Sequence, residues 1–190
     1  MKRVILVVAL LMFAGDRLNA DPGPERTLWQ LCFNAEGEAS FPPDKAPYDP
    51  PCAEWEYPKY AQLPIKVGMD YSALLHAENV TNAIDFWNAA LGFEALIIVT
   101  EGEPDILVLG DVPNRYLLGK ATPMKIDGQL HNLVKLYGLS SLGTVVHEFG
   151  HALGLAHDPG SNYVMAPIGE KRLRVHPADI VAIKALYGKE

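Results

Sequence analysis

Residues 147–157 read His147-Glu148-Phe149-Gly150-His151-Ala152-Leu153-Gly154-Leu155-Ala156-His157. Residues four apart on a helix lie about 40° from each other around the axis, one turn along it. His147 and His151 therefore project from one face and can offer two imidazole nitrogens to a single metal ion. Glu148 falls beside that pair, where a carboxylate reaches a water held at the metal. His157 follows six residues after His151, and a straight helix would carry it away from the first two. Gly154, with no Cβ to clash at positive φ, can end the helix and swing the chain back. Three neutral nitrogen ligands with a fourth position open describe a catalytic zinc site, since a structural one is closed by four protein ligands. In a chain of this composition a bare His-Glu-x-x-His arises by accident in roughly one case per hundred. Adding the glycine and the third histidine at fixed offsets lowers that to about a few per hundred thousand.

Downstream, Ser161-Asn162-Tyr163-Val164-Met165-Ala166-Pro167 places Met165 eight residues past His157. The chain then closes on Asp179-Ile180, Ile183 and Leu186-Tyr187-Gly188. Together with the elongated three-histidine motif, these segments resemble the metzincin metalloproteases, and most closely the matrixin (matrix metalloproteinase-like) family, as a bacterial-type secreted member. The resemblance covers roughly residues 63–188, with distinctive motifs from 143 onward. It implies an α+β, metzincin/matrixin-like catalytic domain, a mixed twisted five-stranded sheet with three helices. It implies zinc on His147, His151 and His157, Glu148 as the catalytic residue, and Met165 as an apolar floor beneath the metal. Pro167, Gly154 and Asp158 belong to the same turn and its support. The strand around Gly119-Lys120-Ala121 corresponds to the sheet edge along which an extended peptide pairs. Two positions depart from the matrixin pattern. Asp158 stands where a serine is usual and looks more like the adamalysin branch, and Ala166 replaces the common tyrosine after the methionine. The wall of the specificity pocket therefore does not carry over. Matrixins often add a structural zinc and Ca2+ ions, but no clear His/Asp cluster marks either here.

The chain has 190 residues, 49% hydrophobic and 21% charged, enough for one globular domain with a core of its own. Met1-Lys2-Arg3 followed by an apolar run from Val4 to Ala14 and by Leu18-Asn19-Ala20 reads as a signal peptide over 1–20. Eleven apolar residues are too few to span a bilayer. Removing that segment takes away Lys2, Arg3, Arg17 and Asp16, moving the net charge from −7 to −9. Such an acidic surface argues against nucleic acid and anionic membranes as partners. Residues 21–60 carry eight prolines and no periodicity, as an N-terminal arm or a short pro-segment would. The two cysteines, Cys32 and Cys52, most simply form one disulfide in an exported protein, worth about 2–4 kcal/mol. A cysteine switch on the metal is the alternative, but its surrounding motif is absent at both positions.

From residue 63 the chain becomes regular, and 61–190 reads as the catalytic domain. Leu63 to Met69 alternates like a strand, and Asn79 to Leu91 places Val80, Ala83, Ile84, Trp87 and Leu91 on one helical face, with Asn79 or a neighbour near the cap. Phe93–Thr100 and Asp105–Gly110 read as strands. Tyr116–Ile126 and Leu130–Tyr137 flank Asp127-Gly128, a tight-hairpin signal. Ser140 or Ser141 can cap the metal-bearing helix, which runs to about Leu153, and Pro177 opens the last helix. His76, His131 and His176 read as surface or capping residues.

These readings converge on a secreted (extracellular or periplasmic), monomeric metalloendopeptidase acting on protein or peptide substrates, with one catalytic zinc. Zinc lowers the pKa of a bound water toward ~7 and polarises the scissile carbonyl, and Glu148 acts as general base and then acid. The alternative is a catalytically silent or partner-dedicated zinc-binding interaction domain of the same fold. Loss of Glu148 would favour it, and Glu148 is present.

Overall fold

A computed structural model of the chain describes residues 32–33, 39–40, 60–155, 157, 162–166 and 173–189. Two short strands, β1 (Cys32–Phe33) and β2 (Ala39–Ser40), form an antiparallel pair ahead of the main sheet in sequence. The main sheet has five strands: β3 (Ile65–Met69), β4 (Leu96–Ile98), β5 (Ile106–Asp111), β6 (Gly119–Ile126) and β7 (Gln129–Tyr137), in the order β4-β3-β5-β7-β6. Neighbouring pairs are parallel except β6, which runs antiparallel to β7 at one border of the sheet. A 3-10 turn over Tyr71–His76 leads into α1 (Ala77–Leu91), followed by α2 (Leu142–Ala152) and α3 (Pro177–Leu186). Among the described residues this is the α+β arrangement expected, a five-stranded mixed sheet with three α-helices.

One face of the sheet is apolar and covered. Ile65 and Val67, Ile106 and Val108, Val134 and Leu136 alternate into it and are fully buried, as the two-residue period of a strand requires. All five residues expected on the inner face of α1 are buried there, each worth about 1.5–3 kcal/mol of transfer free energy if aliphatic. Trp87 donates its indole N–H to the Val146 carbonyl at 2.9 Å, tying α1 to the helix that carries the histidines. Asn88 accepts from the N–H groups of Ala95 and Leu96 and donates to the Leu96 carbonyl, all within 2.9 Å. That clamp confines the fourth strand to Leu96–Ile98, shorter than the Phe93–Thr100 expected.

The Asp127-Gly128 hairpin forms as expected, with both residues at positive φ, 49° and 79°. Ser141 caps α2, its Oγ accepting from the Thr144 N–H at 3.3 Å, whereas the Ser140 hydroxyl is directed to the Leu118 carbonyl. The cap expected near Asn79 is corrected. The helix begins at Ala77, the 3-10 turn is capped by Asp70 through the Ser72 N–H at 2.9 Å, and Asn79 instead donates to the Ser140 carbonyl at 3.0 Å. His76 is likewise not a surface residue. It occupies the cap position without a side-chain cap bond and is only 4% exposed. His176 does cap, its Nδ1 accepting from the Ala178 N–H at 3.1 Å. His131, half-buried on β7, has its Nδ1 3.4 Å from the Pro104 carbonyl. Among the described residues no helix is long and apolar enough to cross a membrane. The signal-peptide segment 1–20, Asp158, Pro167 and the Cys32–Cys52 pairing, in which Cys52 and the Cys32 side chain take part, lie outside the described residues.

Candidate metal centre and cleft

His147 and His151 stand one turn apart on α2, and the chain leaves that helix just beyond. Gly154, at φ 104°, donates to the His151 carbonyl while Leu155 donates back to the Gly150 carbonyl at 3.0 Å. This is the reversal that the Gly154 position anticipates, and it returns His157 to the other two. The three Nε2 atoms lie 3.0, 3.1 and 3.2 Å from one another, on residues graded from buried (His147) through half-buried (His151) to exposed (His157).

The backs of the rings decide their chemistry. His147 Nδ1 lies 2.7 Å from the Val164 carbonyl and His151 Nδ1 2.8 Å from the Leu155 carbonyl. A carbonyl only accepts, so each Nδ1 carries the proton and each Nε2 presents a lone pair inward. Lone pairs converging at this distance repel one another unless a cation lies among them. Tetrahedral bonds of 2.0–2.1 Å would set such nitrogens roughly 3.3 Å apart, close to the spacing seen. The donor set, neutral imidazoles with their outer nitrogens hydrogen-bonded, fits zinc.

Met165 is fully buried, with its sulfur against Gly150. A Cβ at Gly150 would overlap that sulfur and come within 2.9 Å of Trp87 Cζ2. The absence of a side chain in mid-helix lets the turn at Met165 close under the histidines. The same turn supplies the Val164 carbonyl, and the Val164 N–H donates to the Arg174 carbonyl at 2.9 Å. Tyr163 packs edge-on against His176 at 4.6 Å, with the Arg174 guanidinium 5.7 Å from its ring centre.

Glu148 is 5% exposed. Its Oε2 accepts from the Ala121 N–H at 2.8 Å, across 27 residues of sequence. Ala121 belongs to β6, so the carboxylate of the residue following His147 is tied to the border of the sheet. Gly119, two residues earlier, lies so near that a Cβ there would come within 2.7 Å of Glu148 Cγ and 2.9 Å of Thr144 Cγ2. The structure thus brings together His147, Glu148, His151, His157, Gly154, Met165, Gly119 and Ala121. Lys120 sits on the same strand, exposed, on the sheet face opposite the helices.

Residues 114–188 match the family model for the matrixins. Over that stretch the chain is matrixin-like. The chain is similar to matrix metalloproteinase-19 of Homo sapiens, 49% identical over 47 residues. It is also similar to matrix metalloproteinase-19 of Mus musculus, 46% identical over 46 residues. Each match covers 23% of this chain and 9% of the relative, so the similarity spans about a tenth of those proteins' length. Gly150 and the Val164 and Leu155 carbonyls are not singled out by the sequence, and Trp87 only as part of the inner face of α1. Gly150 was visible inside the motif, but only its partner shows why it is needed.

Proposed function

We propose that this chain is a zinc-dependent endopeptidase that hydrolyses peptide bonds in extended protein substrates. The observation that supports the reading is the convergence of three imidazole nitrogens, with Glu148, next to His147 in the chain, hydrogen-bonded to the backbone of a bordering strand. His147, His151 and His157 would hold the zinc, and the Val164 and Leu155 carbonyls keep two of those rings in the tautomer that binds metal. Bound there, zinc supplies a positive charge that makes water more acidic and polarises a carbonyl oxygen. Glu148 takes the proton from the attacking water and delivers it to the departing amine, as general base and then general acid. The Ala121 N–H holds the Glu148 carboxylate in place between these two transfers. The border of β6 offers backbone groups to an extended peptide, which strand addition would align beside Glu148. The basic start and apolar run of residues 1–20 support export, after which the protein acts as a secreted monomer.

The test is cleavage of denatured proteins by the zinc-loaded full chain, read by mass spectrometry beside Glu148→Gln, with zinc content measured on both. Equal zinc and a loss of ~10²–10⁴ in rate for the variant support the reading. A zinc-loaded wild type that cuts nothing overturns it in favour of an interaction domain.

A further inference from the structure

The register of β6 on β7 determines which backbone groups of β6 face outward. Ile126 and Gln129 close the hairpin at one end, and at the other the Tyr137 N–H donates to the Leu118 carbonyl at 3.0 Å. Bonded and non-bonded pairs alternate along an antiparallel ladder. Leu118, Lys120, Thr122, Met124 and Ile126 therefore direct their N–H and C=O groups to β7, and Gly119, Ala121, Pro123 and Lys125 turn theirs to the open side. The Ala121 N–H, which reaches Glu148, obeys that parity. Among the described residues no strand joins the ladder on this side, and the β1–β2 hairpin approaches β6 without doing so.

Pro123 is one of the outward positions, and proline has no N–H. A polypeptide laid along β6 meets backbone partners at Gly119 and at the Ala121 carbonyl, the Ala121 N–H being held by Glu148, and then a position with no donor. Toward the N-terminus the ladder also ends. The Asn114 side-chain oxygen accepts from the N–H groups of Tyr116 and Leu117 at 2.8 and 3.1 Å, turning the chain out of the strand. What that side offers instead is apolar, with Tyr116 87% and Leu118 62% exposed.

We propose that Pro123 is a specificity-determining residue that ends strand pairing after Ala121. The cleft then grips a short stretch of substrate backbone at Gly119 and Ala121 and takes further selectivity from apolar side chains beyond Gly119. This rests on the endopeptidase reading above. It is tested with nested peptides around one cleavage site, lengthened residue by residue from each end. kcat and KM are measured for wild type, Pro123→Ala and Pro123→Val, the second variant guarding against a local defect in the first. Binding is followed in parallel by fluorescence anisotropy with Glu148→Gln added to each. In wild type, lengthening past Ala121 toward Pro123 leaves KM flat. In the donor-bearing variants the same lengthening lowers KM and tightens binding about 3–10-fold at constant kcat, the effect of one added hydrogen bond. Lengthening the other way improves KM with apolar residues and not polar ones, in all three proteins alike. Equal gains past Ala121 in wild type and variants, no gain in either variant, or no binding at any length overturns the proposal. If peptides bind but none is cut, the endopeptidase reading falls while the anisotropy series still decides the role of Pro123.

Discussion

Gly150 sits in the middle of the metal-bearing helix, where glycine costs about 1 kcal/mol relative to alanine. It is retained because Met165 sulfur and the Trp87 ring fill the space a Cβ would take. Gly150→Ala is expected to gain helix propensity yet lose about 1–3 kcal/mol net through overpacking. Zinc affinity should fall as well, because Met165 adjoins Val164, whose carbonyl orients His147. Chemical denaturation and zinc titration check both; a stable variant with unaltered affinity contradicts the packing account. The histidines and Glu148 were legible because helical spacing and one glycine suffice to group them. Gly150 was not, because its partner lies 15 residues on, across a turn that no periodicity encodes. Val164 and Leu155 were invisible for another reason: they act through carbonyl groups, which every residue carries.

The inner face of α1 was legible because five apolar residues repeat at helical spacing, and the β6–β7 hairpin because Asp127-Gly128 matches one turn type. The start of α1 was not, because the 3-10 turn from Tyr71 continues directly into it and moves the side-chain cap back to Asp70. That continuation also buries His76, and burial pushes its imidazole pKa below the ordinary value. An unfolded histidine titrates near ~6.5, so at lower pH the unfolded chain binds the proton and the native one resists it. The contribution is complete above the unfolded pKa and is lost as pH falls through the window toward the lower folded value. Denaturation midpoints of the metal-free protein should therefore drop between about pH 7 and 5, and the drop should be smaller in His76→Leu. Working metal-free in both proteins leaves the zinc ligands' own titration common to each, so identical slopes would show that His76 does not contribute.

For the molecule as a whole, a site assembled only in the folded state makes zinc a stabiliser by mass action. At free zinc about 100 times its dissociation constant, the gain is about 2.7 kcal/mol, or several degrees in Tm for a domain of this size. Melting curves over a zinc series, with a chelator at one end, read this directly; a Tm that ignores zinc would mean that the three histidines do not bind it. A five-stranded mixed sheet with an edge around Gly119–Ala121 was expected from resemblance, whereas the strand order and the contact between that edge and Glu148 emerge only in the folded chain, because its partners lie 27 residues apart. The Val164 peptide has one more consequence. Its C=O fastens the ring of His147 and its N–H fastens Arg174, so a single residue's backbone couples that imidazole to the backbone leading into α3. A change that shifts the backbone at Arg174 can therefore reach the imidazole of His147 through that one residue, without touching either side chain.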